Sequence, residues 1–424
     1  MKYFLRILWL LLSFYSCIQA VDFHLSGFGT LGGTISDKEY DYLRFINNDG
    51  TLKSNTLVGT QADITLNNQW KATIQGKFSP AINSEQDWDA TLPWAFVSYR
   101  PSNDWLIRIG KMRIPLYLHS QNMNVGVTYD MTRLPYEVYS LSSVDDGIGI
   151  SVIKSFSFES GELFIDMFYT ESDYPYRFYM RDDLTALGGF PKGVNFFDME
   201  VKTAGIVLQY ETYEGDRFRA GVNKSKLNFT GATGGGGTFS LQASPTDPLN
   251  PLSAYPFPFY QPNGDLDKNE VIVFTMGADY GFGDNYRITS EYAFRNLIGA
   301  DTGPKAHSAY IALSKSIGKW TPYVSISALK TSSNVMDLYN NLNNDPINSV
   351  IPINRQYADY TVASEQTSVA LGFSYAFSPT QKLKAEWTRS RIGEASNFLI
   401  DNPTIEPITH ESINVFSLSY SMSF

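Results

Sequence analysis

Residues 416–424 read F-S-L-S-Y-S-M-S-F, with apolar side chains at Phe416, Leu418, Tyr420, Met422 and Phe424 and serine at every position between. Successive side chains on a strand point to opposite faces, so this segment turns one face to oil and the other to water. With 43% apolar residues in the chain, a chance match of this quality is on the order of one in several hundred. A strand of this kind is expected in a barrel embedded in a membrane, where it closes against the first strand of the chain.

The same period of two recurs along the sequence. Thr56, Val58, Thr60, Ala62, Ile64 and Leu66 share one face; Trp70, Ala72, Ile74, Gly76 and Phe78 share another, with Lys71, Thr73, Gln75 and Lys77 opposite. Taken together, about sixteen strands are expected. They fall near 23–34, 56–66, 70–78, 95–99, 105–109, 148–156, 163–169, 204–210, 218–222, 272–280, 286–294, 307–313, 320–328, 369–377, 383–387 and 416–424. Between them, short connections (67–69, 101–104, 157–161, 212–216, 281–285, 317–319, 378–381) alternate with long ones (35–53, 79–93, 113–146, 171–200, 227–269, 296–305, 330–366, 390–412). Antiparallel strands joined in this order gather every tight turn at one end, which is the all-β transmembrane barrel pattern of periplasmic turns and extracellular loops. Trp70, Tyr99, Trp105, Phe156, Tyr210, Phe218, Tyr280, Tyr286, Trp320, Phe377 and Phe424 all fall beside the short turns on the outward register. Aromatic rings gather at headgroup depth, so these predict a girdle at the periplasmic face.

The amino-terminal residues point the same way. Lys2 and Arg6 precede an apolar stretch over 7–12, and Ala20 offers a small residue for cleavage. A secretory signal peptide is expected over 1–20, with 21–424 as a single barrel domain. Cys17 is the sole cysteine, so the cleaved chain is expected to hold no disulfide and no thiolate metal site. Losing Lys2 and Arg6 takes the formal charge from −10 to −12, which argues against nucleic acid as a partner. No run of eighteen apolar residues exists, so no helix is expected to cross a membrane.

Specific segments carry a family resemblance. A-F-V-S-Y-R at 95–100, W-L-I-R-I-G-K-M-R-I-P at 105–115, L-P-Y-E-V-Y at 134–139, D-D-G at 145–147 and L-K-A-E-W-T at 383–388 resemble the bacterial trimeric porins and, more loosely, the phosphate-selective porins. The resemblance implies a water-filled barrel in the outer membrane of a Gram-negative cell, passing small hydrophilic solutes and ions by diffusion. It further implies outer-membrane lipid as surroundings, a homotrimer, no cofactor, and a third long loop that folds inward. A substrate-selective channel for anions or sugars is the second reading, and an adhesin acting through its loops the third.

A pore selects by width and by the charges at its constriction. The loop 113–146 follows the fifth expected strand and carries Asp130, Glu137, Asp145 and Asp146 with Arg113 and Arg133. Asp130 and Glu137 are expected to face an electropositive wall of Arg108 and Lys111. The plainer alternative is that these acids are solvated or pin the loop to the barrel wall. Charges on the lipid face at midplane cost roughly 2–4 kcal/mol for Arg or Lys. Lys71, Lys77, Arg100, Arg219, Arg287, Arg295, Lys382 and Lys384 are therefore expected in the lumen, interleaved with Asp63, Asp166, Asp279, Glu291 and Glu386.

The loop 227–269 holds four glycines over 234–237 and Pro245, Pro248, Pro251, Pro256, Pro258 and Pro262, and is expected to be irregular. Its aromatic run over 255–260 is either a sugar-stacking platform or the loop's own packing. His24, His119, His307 and His410 lie far apart, and no nucleophile elbow, zinc spacing or phosphate loop occurs, so no enzyme is expected.

Overall fold

The computed structural model describes residues 22–142, 144–229, 238–247, 249–263, 269–299, 301, 303, 305–400 and 407–424. The expected leader over 1–20 and the glycine run over 234–237 lie outside the described residues. Sixteen antiparallel strands close into one barrel. In chain order they are β1 (Asp22–Ser36), β2 (Leu57–Thr65), β3 (Trp70–Pro80), β4 (Trp88–Ser102), β5 (Trp105–Arg113), β6 (Asp146–Phe158), β7 (Gly161–Met180) and β8 (Gly193–Thr212). They continue with β9 (Arg217–Phe229), β10 (Asn269–Phe282), β11 (Tyr286–Ile298), β12 (Ala306–Lys315), β13 (Trp320–Thr331), β14 (Glu365–Ser378), β15 (Gln381–Ile392) and β16 (Ser412–Ser423).

Each strand pairs with its neighbours in sequence, and β16 closes the ring on β1, from Phe28 opposite Ser423 to Ser36 opposite Val415. Closure therefore uses Gly27 onward rather than the whole of 23–34; Asp22 to Ser26 pair only with β2. Phe424 completes the seam, exchanging backbone bonds with Gly27 at 2.8 and 2.9 Å. The Phe424 ring lies over Gly27, so a Cβ there would displace the ring.

The sheet is inside out relative to a soluble protein. Leu31, Ile109, Ile148, Phe416 and Leu418 are each more than half exposed on the outer face, while Ser417, Ser419 and Ser421 are buried on the inner one. Closing the ring pairs β1 on both sides from Gly27 onward, leaving only Asp22–Ser26 at the turn end with a free edge, and a closed ring is the condition for a sheet to sit in hydrocarbon. The short turns gather at one end, and there the outward rings stack: Trp70 on Tyr99 at 4.5 Å, Trp320 against Tyr375 at 4.7 Å and Phe282 on Tyr286 at 5.6 Å between centroids.

At the other end the loops L1 to L8 span 37–56, 81–87, 114–145, 181–192, 230–268, 299–305, 332–364 and 393–411. Three of them are shorter than expected because strands continue past the membrane. The β7–β8 hairpin runs on to Met180 and from Gly193, β3 and β4 turn around 81–87, and β15 continues to Ile392. In these extensions the period of two persists, but the outward residues become charged (Glu171, Glu200, Lys202). A search for outward apolar residues stops one membrane thickness up.

Besides a one-turn helix in L3, α1 (Tyr136–Tyr139), L7 folds into two helices, α2 (Ser333–Asn343) and α3 (Ile353–Tyr360), where the sequence marked only a long connection. Val335, Met336, Leu338, Tyr339 and Leu342 share one buried face of α2 at helical spacing. Asp345 starts the turn between the helices, accepting from Ile347 N at 3.1 Å and Asn354 Nδ2 at 2.9 Å. L7 is latched to L4 by Arg181 Nε on Asp359 at 2.6 Å and Arg355 on Asp182 at 3.1 Å. Burial pushes the Asp359 carboxyl up to about 6, against the pull of Arg181.

Candidate functional site: the lumen and its inner loop

L3 turns into the barrel immediately after β5. Ile114 N bonds Asp145 O at 2.9 Å, which pinches the two ends of the loop together. Apart from Arg113 of β5, which donates to Met123 Sδ, its described hydrogen bonds to the wall run to one half of it, β9 to β15. Arg219 of β9 donates to Pro115 O, Thr275 of β10 to Leu116 O at 2.9 Å, and Arg295 of β11 to Leu141 O at 2.6 Å. Lys384 of β15 donates to Met131 O at 2.9 Å and sits 4.0 Å from the Tyr129 ring centroid.

Two buried carboxylates clamp the loop from opposite sides. Glu291, on the wall, accepts from Leu118 N at 2.8 Å, Tyr139 Oη at 2.5 Å and Tyr310 Oη at 2.9 Å. Glu137, on a one-turn helix of the loop (Tyr136–Tyr139), accepts from Ser327 Oγ at 2.9 Å, Gln366 Nε2 at 2.6 Å and Ser368 Oγ. Each carboxylate takes three donors, so neither is left without partners in its buried position.

Several expected site residues therefore hold other positions. Glu137 is 3% exposed and faces β13 and β14, so it does not line open water. Asp130 pairs with Lys382 at 2.8 Å and accepts from Ser374 Oγ at 2.6 Å. Neither acid faces Arg108 or Lys111, contrary to the expectation; the loop turns these carboxylates to the far wall, where buried donors await them. Lys111 is a second correction. It stands opposite Ile148 in the β5–β6 register, on the outer face, and pairs with Asp146 at 3.1 Å. Direct cross-strand partners share a face, and toward the loop end a neutralised pair outside the barrel is tolerated.

The remaining residues divide between the loop's hinge and the open wall. Arg113 is buried, with Met123 Sδ at 2.8 Å and Asp145 at 3.6 Å. Arg133 and Asp145 line a cavity of about 690 Å³ above L3, together with Arg44, Tyr136, Arg177 and Arg295. Arg108 faces inward, its guanidinium 5.4 Å from the Phe96 ring. It shares the β2–β7 half of the wall with Lys71 and Lys77, with Asp63 bonded to Thr73 at 2.7 Å, and with Asp166 bonded to Ser151 at 2.7 Å. Arg100 lies at the turn end, donating to Asn103 O. Arg287 and Arg217 share Asp279 at 3.0 and 3.1 Å, and Glu386 accepts from Tyr323 Oη at 2.5 Å.

The aromatic run in L5 packs on itself: Tyr255 meets Phe257 and Phe259 at 6.0 and 5.8 Å, and Phe259 is buried. Sequence reasoning missed Arg44 and Arg177, which share Glu85 at 3.2 and 2.5 Å. Arg44 and Glu85 sit in loops, and Arg177 on a strand extension, where no periodic signal marks an inward residue.

No family model and no curated protein matches this sequence. Solved structures match in shape. An anion-selective porin from Comamonas acidovorans aligns with a TM-score of 0.54 at 12% identity, over 96% of this chain and 100% of its own. The outer membrane channel DcaP of Acinetobacter baumannii aligns with a TM-score of 0.50 at 12% identity, over 96% and 98%. OmpF of Salmonella typhi aligns with a TM-score of 0.50 at 11% identity, over 95% and 97%. At these identities the likeness is one of fold: a sixteen-stranded porin barrel.

Proposed function

We propose that this protein is an outer-membrane porin through which small hydrophilic solutes and ions diffuse down their gradients. The observation that carries this reading is the placement of L3. A closed barrel with an apolar exterior has a polar interior wide enough to admit a loop of the chain, and beyond its hinge at Arg113 the loop's described hydrogen bonds to the wall run to β9–β15. The passage is left to the β2–β7 half, where Lys71, Lys77, Arg108, Asp63 and Asp166 present charges of both signs. Water and ions cross such a wall readily, because fixed charges replace part of an ion's hydration. An apolar solute finds no compensation there. Nothing in this process consumes a cofactor or an energy source. The solved structures of like fold carry names of porins and channels, which supports the same reading, and a homotrimer is the assembly that accompanies it.

The test is reconstitution of the purified protein in a planar bilayer. The expected record is stepwise, ohmic current that scales with bulk salt. A folded barrel that inserts and carries no current overturns the proposal. Mass measurement of the detergent-solubilised protein decides the trimer.

A further inference from the structure

The outer face carries a second arrangement, unrelated to the lumen. Near the extracellular rim, outward bases are matched by acids. Lys111 pairs with Asp146, Lys202 with Glu171 and Glu200, Lys224 with Glu270, and Lys330 with Glu365. Arg389 and Arg391 of β15 differ. Both are exposed on the outer face, two residues apart, and neither has an ion pair or hydrogen bond among the described residues. Their cross-strand neighbours are Val369 and Thr367 on β14 and Asn414 and Ser412 on β16, with no acid.

Directly below them lies a groove of about 950 Å³ across the outside of β14, β15, β16 and β1. Its walls are Leu371, Phe373, Trp387, Phe416 and Leu418, and its floor includes the small Ala385. Asp49 of L1 is an acid that lines it. Trp387 and Phe416, opposite each other in the register, lie one outward step beneath Arg389 and Asn414. A strand rises about 3.3 Å per residue and tilts about 40° in a barrel. Arg391, ten residues above Gln381 at the turn end, thus stands about 25 Å up, at the top of an apolar band roughly 25 Å tall.

We infer that this surface is a binding site for a lipid of the outer leaflet that bears a phosphate headgroup, its phosphate on Arg389 and Arg391 and an acyl chain in the groove. Two guanidiniums at headgroup depth need a counter-charge, and among the described residues no carboxylate forms an ion pair with either. Phosphate accepts the guanidinium fork in a bidentate manner. The apolar groove beneath them fits a hydrocarbon tail and would be poorly filled by a flat protein surface bearing like charges. The proposal rests on the barrel spanning a membrane and is independent of whether it conducts.

The experiment is native mass spectrometry of the full chain in detergent, titrated with dioleoyl phosphatidic acid or with dioleoyl phosphatidylcholine, alongside bilayer conductance of the same samples. The wild type is expected to retain one phosphatidic acid preferentially. The variant R389A/R391A should bind it about thirtyfold more weakly, at about one headgroup interaction per arginine, while R389K/R391K recovers part of the loss. Ala385→Trp, which fills the groove and leaves the arginines, should weaken both lipids. Conductance should not change in any variant. Equal retention of both lipids, or undiminished binding by R389A/R391A, overturns the inference. So does loss of an oligomer in R389A/R391A with lipid binding intact, which would make this face a contact between copies of the chain.

Discussion

Removing both carboxylate clamps should free L3 from the wall. Glu291→Ala strands Leu118 N, Tyr139 Oη and Tyr310 Oη; Glu137→Ala strands Ser327 Oγ, Gln366 Nε2 and Ser368 Oγ. A buried donor without a partner costs about 1–3 kcal/mol, less where water can reach it as the loop moves. Each single variant should therefore weaken docking by about 3 kcal/mol, roughly a hundredfold in the undocked population. Other tethers persist in each (Thr275 to Leu116 O, Lys384 to Met131 O). The singles should keep the parent conductance and add brief excursions to a larger one. The double variant should spend much of its time in the larger state. The two effects are not additive, because Tyr139, which Glu291 holds, lies on the same helical turn as Glu137. Single-channel recording in a planar bilayer reads all three proteins, with heat-modified mobility on gels confirming that each barrel is folded. A folded double variant with the parent's conductance and noise would refute the claim that L3 limits the passage.

Three further outcomes follow from other contacts. Lys382→Glu replaces the partner of Asp130 with a like charge, so L3 should loosen near 130 and the reversal potential in a salt gradient should move toward cations; an unchanged potential would place Asp130 outside the ion path. Deleting Phe424 removes two backbone bonds to Gly27 and the ring packed on it, so the yield of folded barrel should fall severalfold while surviving channels conduct normally; normal yield would deny the seam its role. Asp359 has a folded pKa of about 6 against an unfolded value of about 3.9, so the latched state binds its proton more tightly. Latching of L7 is thus strongest below about pH 4 and weakens by about 3 kcal/mol as pH rises through 6. Hydrogen exchange over 333–360, measured across that range, should quicken with pH beyond its intrinsic trend, and a protection factor flat with pH would count against the latch.

The barrel was legible because its physics is local. A strand with oil on one face and water on the other writes a period of two into a handful of residues, and a turn or a loop then follows each strand in fixed alternation. Phe416 to Phe424 could be assigned a face, an end and a partner from such signals. The limit appears where the outward environment changes. Above the hydrocarbon, Glu171 and Lys202 occupy the same register as Met167 and Ile206 below, and a hydrophobicity pattern ends although the strand does not. Lys111 was misassigned for this reason: a charged residue was taken to face water inside, whereas at the rim water and headgroups lie outside as well.

The destination of L3 was hidden for a different reason. Its anchors are separated from it by long stretches of chain: Glu137 lies 229 residues from Gln366, Asp130 lies 252 from Lys382, and Leu118 lies 173 from Glu291. Spacing along the sequence says nothing about such pairs, since any inward position on the far wall is an equal candidate until the loop's path is known. Composition offered one clue that remained unused. Serines fill the inward register of β14 and β16 at Ser368, Ser374, Ser417, Ser419 and Ser421, whereas the facing wall of β3 to β5 carries Lys71, Lys77 and Arg108. A wall of serines lets a loop come close and still supplies donors for its carboxylates. Longer side chains reach across the remaining gap, Arg219, Arg295 and Lys384 donating to the loop's carbonyls, so small polar and long basic residues together hold L3 to this side.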